Sequence, residues 1–306
     1  MIYGQKAQQP IPDTQQESAS VIAEKIRKLK ALVANDNEGQ LTDSIVRWIN
    51  DNKLPFTYEK SLKEGKYELK NILSRGEQFL QQFITVDDAM LSMKKDVRKM
   101  AQSNHDVLIT GETGTGKEII ARSMIGNREG QILSINCAGL PENLIESELF
   151  GHRKGSFTGA ESDKKGLFVA AQDGIVFLDE INRLPLHLQS KLLRALQDKK
   201  VRPVGSNKEE DINCKFVCAS NQNLLKLYEN GLFQGDLYAR ISMLEVDLSP
   251  LKERMCDVVP IAESIAGGAK FLERYRDDLT SGKLDLQWNV RSIQRHITRY
   301  NVLGRL

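Results

Sequence analysis

Residues 107–118 read Val-Leu-Ile-Thr-Gly-Glu-Thr-Gly-Thr-Gly-Lys-Glu. Four β-type residues, Val107 to Thr110, run directly into a glycine-rich turn, and the helix-compatible Ile119, Ile120, Ala121 and Arg122 follow. Strand, glycine loop and helix in that order form the context in which backbone N–H groups cradle phosphate oxygens. Gly111, Gly114 and Gly116 let the backbone curl, with Glu112, Thr113 and Thr115 between them, and Lys117 adds a point charge for the outer phosphates. The N-terminus of the following helix adds its own partial positive charge. Residues 111–118 are therefore the expected phosphate-binding loop. One position departs from the general pattern, in which Lys is followed by Ser or Thr whose hydroxyl helps hold Mg²⁺. Here that place is taken by Glu118, so either the metal is held elsewhere or the loop has its own spelling.

Some sixty residues on, the wholly apolar Gly174-Ile175-Val176-Phe177-Leu178 ends in Asp179-Glu180. A neighbouring strand that ends in acid places a carboxylate beside the metal of a bound nucleotide. Asp179 is the expected Mg²⁺ partner, directly or through water, and Glu180 the expected base that polarises an attacking water. Acids also cap helices, so the pair gains meaning from the loop that precedes it. Together the two motifs predict ATP as the ligand and Mg²⁺ as its counter-ion. The next apolar run ends in Ala219-Ser220-Asn221, where Asn221 can orient the lytic water, sense the outer phosphate, or cap a helix.

From about residue 80, short apolar runs at 106–110, 131–136, 174–178 and 215–219 alternate with longer helical stretches. That alternation predicts an α/β fold with a mostly parallel sheet covered by helices. After Pro250 the sequence turns helical, consistent with a separate small domain. Helices are expected at residues 18–33, where Ile22, Ile26, Leu29 and Val33 fall at helical spacing, and at 43–50. The basic residues between those apolar positions form either a solvated face or a DNA-facing one. Residues 52–75 show no clean period and their structure is left open. The expected division is a mostly helical N-terminal extension at 1–78, an α/β subdomain at 79–249 and a helical lid at 250–306.

Charged residues make up 27% of the 306, yet the net charge is only +2, which gives no electrostatic argument for bulk binding to nucleic acid or to an anionic membrane. No run approaches the roughly 18 apolar residues that cross a bilayer, and the N-terminus lacks the apolar core of a secretion signal. A cytoplasmic protein is expected. Cys137, Cys214, Cys218 and Cys256 contain no CxxC pair and read as small buried thiols, and the four histidines show no ligand spacing.

Between the two nucleotide motifs lies ESELFGHRKGSFTGA, whose last six residues are Gly155-Ser156-Phe157-Thr158-Gly159-Ala160. This stretch resembles the GAFTGA loop of the AAA+ ATPase domain found in bacterial activators of sigma-54 RNA polymerase. The GETGTGKE spelling with its Glu, SINCAGLPENLIESELFGH at 134–152, FLDEINRLPLHLQSKLLRALQ at 177–197 and LSPLKER at 248–254 are similar to that family too. The resemblance covers roughly residues 80–300. It implies an AAA+ P-loop fold with a helical lid, and ATP hydrolysis within a self-associated ring, usually a hexamer. It also implies a mobile loop that contacts sigma-54 and remodels the closed promoter complex. By the same resemblance Phe157 and Thr158 are the sigma-54 contacts, Asn136 pairs with the catalytic Glu180, and Arg291 is the lid arginine that senses nucleotide.

Two stretches depart from the family's pattern. The usual F-R-x-D-L-x-x-R-L supplies arginines to the neighbouring subunit; here it is Phe233-Gln234-Gly235-Asp236-Leu237-Tyr238-Ala239-Arg240-Ile241. Arg240 is kept, but Gln234 replaces the first arginine and cannot supply charge. The lid's W-P-G-N-V-R appears as Trp288-Asn289-Val290-Arg291, without Pro-Gly. Many members continue into a C-terminal helix-turn-helix, whereas this sequence stops at Leu306. Promoter DNA is then bound by nothing dedicated, by the N-terminal helices, or by a part outside this sequence. Two functions are expected in order: an ATP-driven activator of sigma-54 polymerase, or a nucleotide-binding regulator of the same fold with weak or no hydrolysis.

Overall fold

The computed structural model describes residues 56–60, 67–71 and 74–305. The chain divides into two units, residues 1–73 and 74–306. In the first, strands β1 (Phe56–Lys60) and β2 (Tyr67–Asn71) pair antiparallel, Phe56 opposite Asn71 and Lys60 opposite Tyr67. This hairpin falls in the stretch whose structure the sequence left open. The helices expected at 18–33 and 43–50 lie outside the described residues.

The second unit opens with α1 (Arg75–Leu80) and α2 (Asp88–Gln102), capped by Ser74 and Asp87, whose side chains accept from the N–H groups of Glu77 and Met90. Such caps satisfy donors that the first helical turn leaves unpaired. There follow β3 (Val107–Gly111), α3 (Lys117–Ser123), β4 (Ile132–Asn136) and α4 (Glu142–Phe150). Short strands β5 (Gly151–His152) and β6 (Lys164–Lys165) flank the loop at 153–163, and α5 (Leu167–Ala170) leads to β7 (Ile175–Asp179). A 3₁₀ turn at Ile181–Arg183 precedes α6 (Leu186–Asp198), after which β8 (Lys200–Val201) and β9 (Glu210–Asp211) pair antiparallel. The α/β part closes with β10 (Lys215–Ser220), α7 (Leu224–Glu229), α8 (Gly235–Ile241) and β11 (Glu245–Leu248).

The main sheet has the order β11-β3-β10-β7-β4, and every neighbouring pair is parallel. The expected parallel α/β architecture is therefore present, and each of the four expected strands lies within a residue or two of its predicted bounds. β11 is an addition: Glu245-Val246-Asp247-Leu248 alternates polar and apolar because it is an edge strand, and the sequence reading passed over it. Residues on each strand alternate between faces. Leu108, Val176, Leu178, Phe216 and Cys218 enter one buried cluster with residues of α4, α6 and α8. Val107, Ile109, Ile175, Phe177, Val217 and Ala219 enter another with residues of α1, α2 and α3.

Beyond Pro250 the chain is helical, with α9 (Val258–Ser264), α10 (Gly268–Thr280) and α11 (Val290–Leu303). They bury a third cluster of their own, which includes Leu251, Val258, Phe271, Leu279, Ile293 and Ile297. Cys137, Cys214 and Cys218 are buried as expected, whereas Cys256 is exposed. Among the described residues no helix is long and apolar enough to cross a membrane.

Candidate functional site

In a parallel sheet the carboxyl ends of all strands emerge on one edge, and the loops there converge. The turn after β3, Asn136 at the end of β4, Asp179 at the end of β7 with Glu180 just beyond it, and Asn221 after β10 meet in this way. With Arg291 of the lid they line one cavity of about 400 Å³. Thr113, Gly114, Thr115, Gly116, Lys117 and Glu118 line it from the loop side. Its other wall is largely apolar, formed by Phe83 and Ile84 before α2 and by Ile261, Ile265 and Val290 of the lid, with Gln82, Ser264 and Gln294 among them. A pocket with one charged end and one apolar end matches a ligand built the same way.

The loop has the curled backbone that its glycines predict. Gly114 sits at φ +83 and Gly116 at φ +107, a region closed to most side chains. Space excludes a side chain at Gly114, where a Cβ would lie 2.2 Å from the Trp288 carbonyl oxygen, and crowds one at Gly116, 3.0 Å from the Phe83 ring. Lys117 Nζ turns inward and donates to the carbonyls of Gly111 (2.7 Å) and Glu112 (2.9 Å). Burial pushes this ammonium below its usual pKa, while Asp179 and Glu180 oppose the shift. Glu118 points along α3 to Arg122, at 2.7 Å, and borders the cavity from its exposed side.

Asn136 and Asp179 are register partners on adjacent strands. The Asp179 carboxyl is pushed above its usual range by burial, against the pull of the Glu180 N–H (3.0 Å) and of Lys117. Glu180 adopts left-handed φ +51, ψ +47, a conformation uncommon for non-glycine residues. The Asn136 Oδ1 accepts from the Ala138 N–H at 2.8 Å. Among the described residues no hydrogen bond joins Asn136 to Glu180, so the pairing implied by the resemblance is not formed here, although both border the same space. Asn221 borders the same cavity, and its Oδ1 is buried without a hydrogen-bond partner.

Gly111 and Glu112 stand behind the cavity wall rather than on it. Glu112 accepts from Lys252 at 2.9 Å and lies 3.3 Å from Asn289 Nδ2, contacts that hold its carboxyl below the usual range. Arg254, buried, donates to the Thr115 carbonyl at 3.2 Å, to Asp257 at 2.8 Å, and lies over the Phe83 ring. Asn289, Lys252, Arg254 and Asp257 were not assigned to the site from sequence. The only available signals were an asparagine ahead of a helix and the charged end of the LSPLKER stretch.

Phe157 and Thr158 lie away from the cavity, on the loop between β5 and β6. The loop closes on itself through Gly155 N–H to Ala160 O (2.9 Å) and Ala160 N–H to Phe157 O (3.0 Å). Thr158 is exposed; Phe157 is half-buried and meets the His152 ring edge-on at 5.0 Å. Ser156 packs so closely on Gly205 that a Cβ there would lie 2.6 Å from its own. Arg240 also lies outside the cavity, at the opposite edge of the sheet. It pairs with the buried Asp106 at 3.1 Å, just before β3. Gln234 donates to the Leu186 carbonyl (3.0 Å) and to Ser190 Oγ (2.6 Å), which ties α8 to the start of α6.

Comparison with known proteins bears on the family and the fold. The regulatory protein LuxO of Vibrio cholerae is 44% identical over 206 residues, 66% of this chain and 38% of that protein. The transcriptional regulatory protein GlrR of Escherichia coli is 40% identical over 227 residues, 71% of this chain and 51% of that protein. The crystal structure of NtrX from Brucella abortus in complex with ATP superimposes with a TM-score of 0.63 at 26% identity, over 72% of this chain and 53% of that one. The fold is thus the AAA+ arrangement expected. The chain spans between about two-fifths and one-half of the length of these curated relatives. Residues 83–247, more than half of the sequence, match the Sigma-54 interaction domain, and the chain belongs to that family of sigma-54-dependent activators.

Proposed function

We propose that this chain binds and hydrolyses ATP and uses the cycle to move the loop at 155–160 against sigma-54, remodelling the closed promoter complex. The observation that carries this reading is the convergence of Lys117, Asn136, Asp179, Glu180, Asn221 and Arg291 on one cavity. The residues fit the ligand. The glycine curl leaves room where a Cβ would clash, Lys117 already donates to oxygen atoms that phosphate oxygens can replace, and the apolar end suits a purine. Among the described residues no group of three or more carboxylate, His or Cys side chains forms a metal cage. A magnesium ion would therefore be held by Asp179 together with phosphate oxygens and water, as is usual for that ion. Bound there, it would neutralise charge on the phosphates. On this reading Glu180 would polarise the attacking water and Asn221, which borders the same cavity, would orient it.

The same reading makes the active form a ring, a hexamer by family, in the cytoplasm with sigma-54 and its RNA polymerase. A cation from a neighbour would stabilise charge on the transferring phosphoryl group. One observation favours the second function, nucleotide binding with weak hydrolysis: Gln234 brings no charge, and both it and Arg240 are engaged within their own chain. ATPase assays across protein concentration, with particle size measured in parallel, separate the two. Specific activity that rises with assembly supports the activator; negligible turnover at all concentrations supports the regulator. Thr158→Ala is expected to abolish sigma-54 association while leaving nucleotide binding intact. Failure of the native chain to bind sigma-54, even with a transition-state mimic of ATP, would refute the remodelling role.

A further inference from the structure

The turn into α11 contains a residue to which the sequence assigned no task. Asn289 is 1% exposed and holds φ +52, ψ −129, a backbone that most side chains avoid. It occupies the N-cap position of α11, yet its side chain makes no capping bond to that helix. Both ends of the amide point elsewhere. Oδ1 accepts from the Leu251 N–H at 2.6 Å, and Nδ2 donates to the Thr113 carbonyl at 3.0 Å with Glu112 Oε2 at 3.3 Å. The next residue continues the contact: the Val290 N–H donates to the Gly114 carbonyl at 3.1 Å. Arg291, which borders the cavity, follows directly.

We propose that Asn289 is a positioning residue for the nucleotide, clamping the phosphate loop to the lid so that loop and Arg291 meet the ligand as one preorganised unit. The inference rests on reading the cavity as the ATP site. Three features support it. The amide donates to the Thr113 carbonyl and the Glu112 carboxylate, which holds the loop's backbone against the lid. A residue whose only duty was to turn the chain would be better served by glycine at this φ, so the strained backbone is held by the side chain's bonds. Finally, the contact is continuous along the chain: beside the Asn289 amide, the Val290 N–H donates to the Gly114 carbonyl, so two successive residues tie lid to loop. Lys252, paired with Glu112, braces the same junction from the exposed side.

The test compares Asn289→Gly and Asn289→Asp in the full chain, with fluorescently labelled ADP and unlabelled ATP as probes. Glycine keeps the turn and removes the bonds. It is expected to weaken ADP binding roughly tenfold, the loss of one or two hydrogen bonds, and to raise the KM for ATP in proportion with kcat within about twofold. Aspartate keeps the acceptor but sets a carboxylate against Thr113 O and Glu112, and is expected to weaken binding further. Lys252→Met, on the surface, is expected to cost about two- to threefold and covers the case in which a buried variant fails to fold. Native affinity in both Asn289→Gly and Lys252→Met overturns the proposal, as does a lower melting temperature with unchanged affinity. Lys117→Ala is the control for the site itself: if it binds nucleotide like the native chain, the reading of the cavity fails, whatever Asn289 does.

Discussion

Asp257 is the most heavily bonded side chain near the nucleotide cavity, and its removal gives a quantitative test of how the lid is held. Its carboxylate is fully buried and accepts from Arg254 Nη1 (2.8 Å), Thr85 Oγ1 (2.7 Å), Val86 N (2.6 Å) and Asp87 N (3.2 Å). In Asp257→Ala the donors at 85–87 regain water, because that segment is near the surface: Val86 is 52% exposed. Arg254 has no such escape, with 1% of its side chain exposed, and is left as an uncompensated buried charge. Stranding one member of a buried pair costs about 3–5 kcal/mol. For a domain of this size that lowers the melting temperature by roughly 6–20 °C. Urea denaturation followed by far-ultraviolet circular dichroism measures it. Arg254→Met and the double variant Asp257→Ala/Arg254→Met complete a cycle. The double variant is expected to cost less than the sum of the singles by at least about 1 kcal/mol, since it strands no charge. A cost below about 1 kcal/mol for Asp257→Ala, or strict additivity, would refute the argument that the pair acts as a unit.

Other substitutions probe other links. Gly114→Ala forces a side chain against the Trp288 carbonyl at φ +83 and is expected to abolish binding of labelled ADP; affinity within threefold of native would contradict the loop geometry. Gln234→Arg restores a charge where the family has one, and is expected to raise the ATPase rate of the assembled protein at least about tenfold. An unchanged rate would show that charge at this position does not limit turnover. Lys215 is buried at the start of β10, donates to the Met100 and Ser103 carbonyls, and burial pushes its amine down to about 8. The unfolded value is near 10.4, so between those limits the folded chain binds fewer protons and stability rises with pH. That contribution is complete above the unfolded value and is lost as the pH falls through 8. Relative to Lys215→Met, the native chain is expected to gain up to about 3 kcal/mol across the window, measured by urea titration at each pH. Parallel stability profiles would rule this out.

Three of the strands that build the site, β3, β7 and β10, were legible because each is a short apolar run buried on both faces, and β4, at the sheet's other edge, because Ile132, Leu133 and Ile135 still make a run that stands out against the charged helices. β11 was missed because an edge strand alternates, and Glu245-Val246-Asp247-Leu248 is too short for the alternation to be seen. The phosphate loop, Asp179 and Glu180 were legible for a different reason: their chemistry demands particular residue types at strand ends. Asn289, Arg254 and Asp257 were not, because their importance comes from contacts between segments more than a hundred residues apart. An Asn before a helix reads as a local cap, and only the fold reveals that its amide is turned away from the helix. The in-chain engagement of Gln234 and Arg240 was hidden in the same way, since a motif gives residue identity and not what the side chain holds.

The lid buries an apolar cluster of its own, and a segment with its own core commonly opens and closes as a separate cooperative unit. Here Asn289 and Arg254 stitch that unit to the carbonyls of Thr113 and Thr115. Opening of the lid must then release the loop, and a ligand that orders the loop must raise the free energy of opening the lid. The consequence is readable in amide exchange. The Leu251 and Val290 amide protons, which are bonded to Asn289 and to the loop, should exchange together and slow together when nucleotide is added, although both sit in the lid.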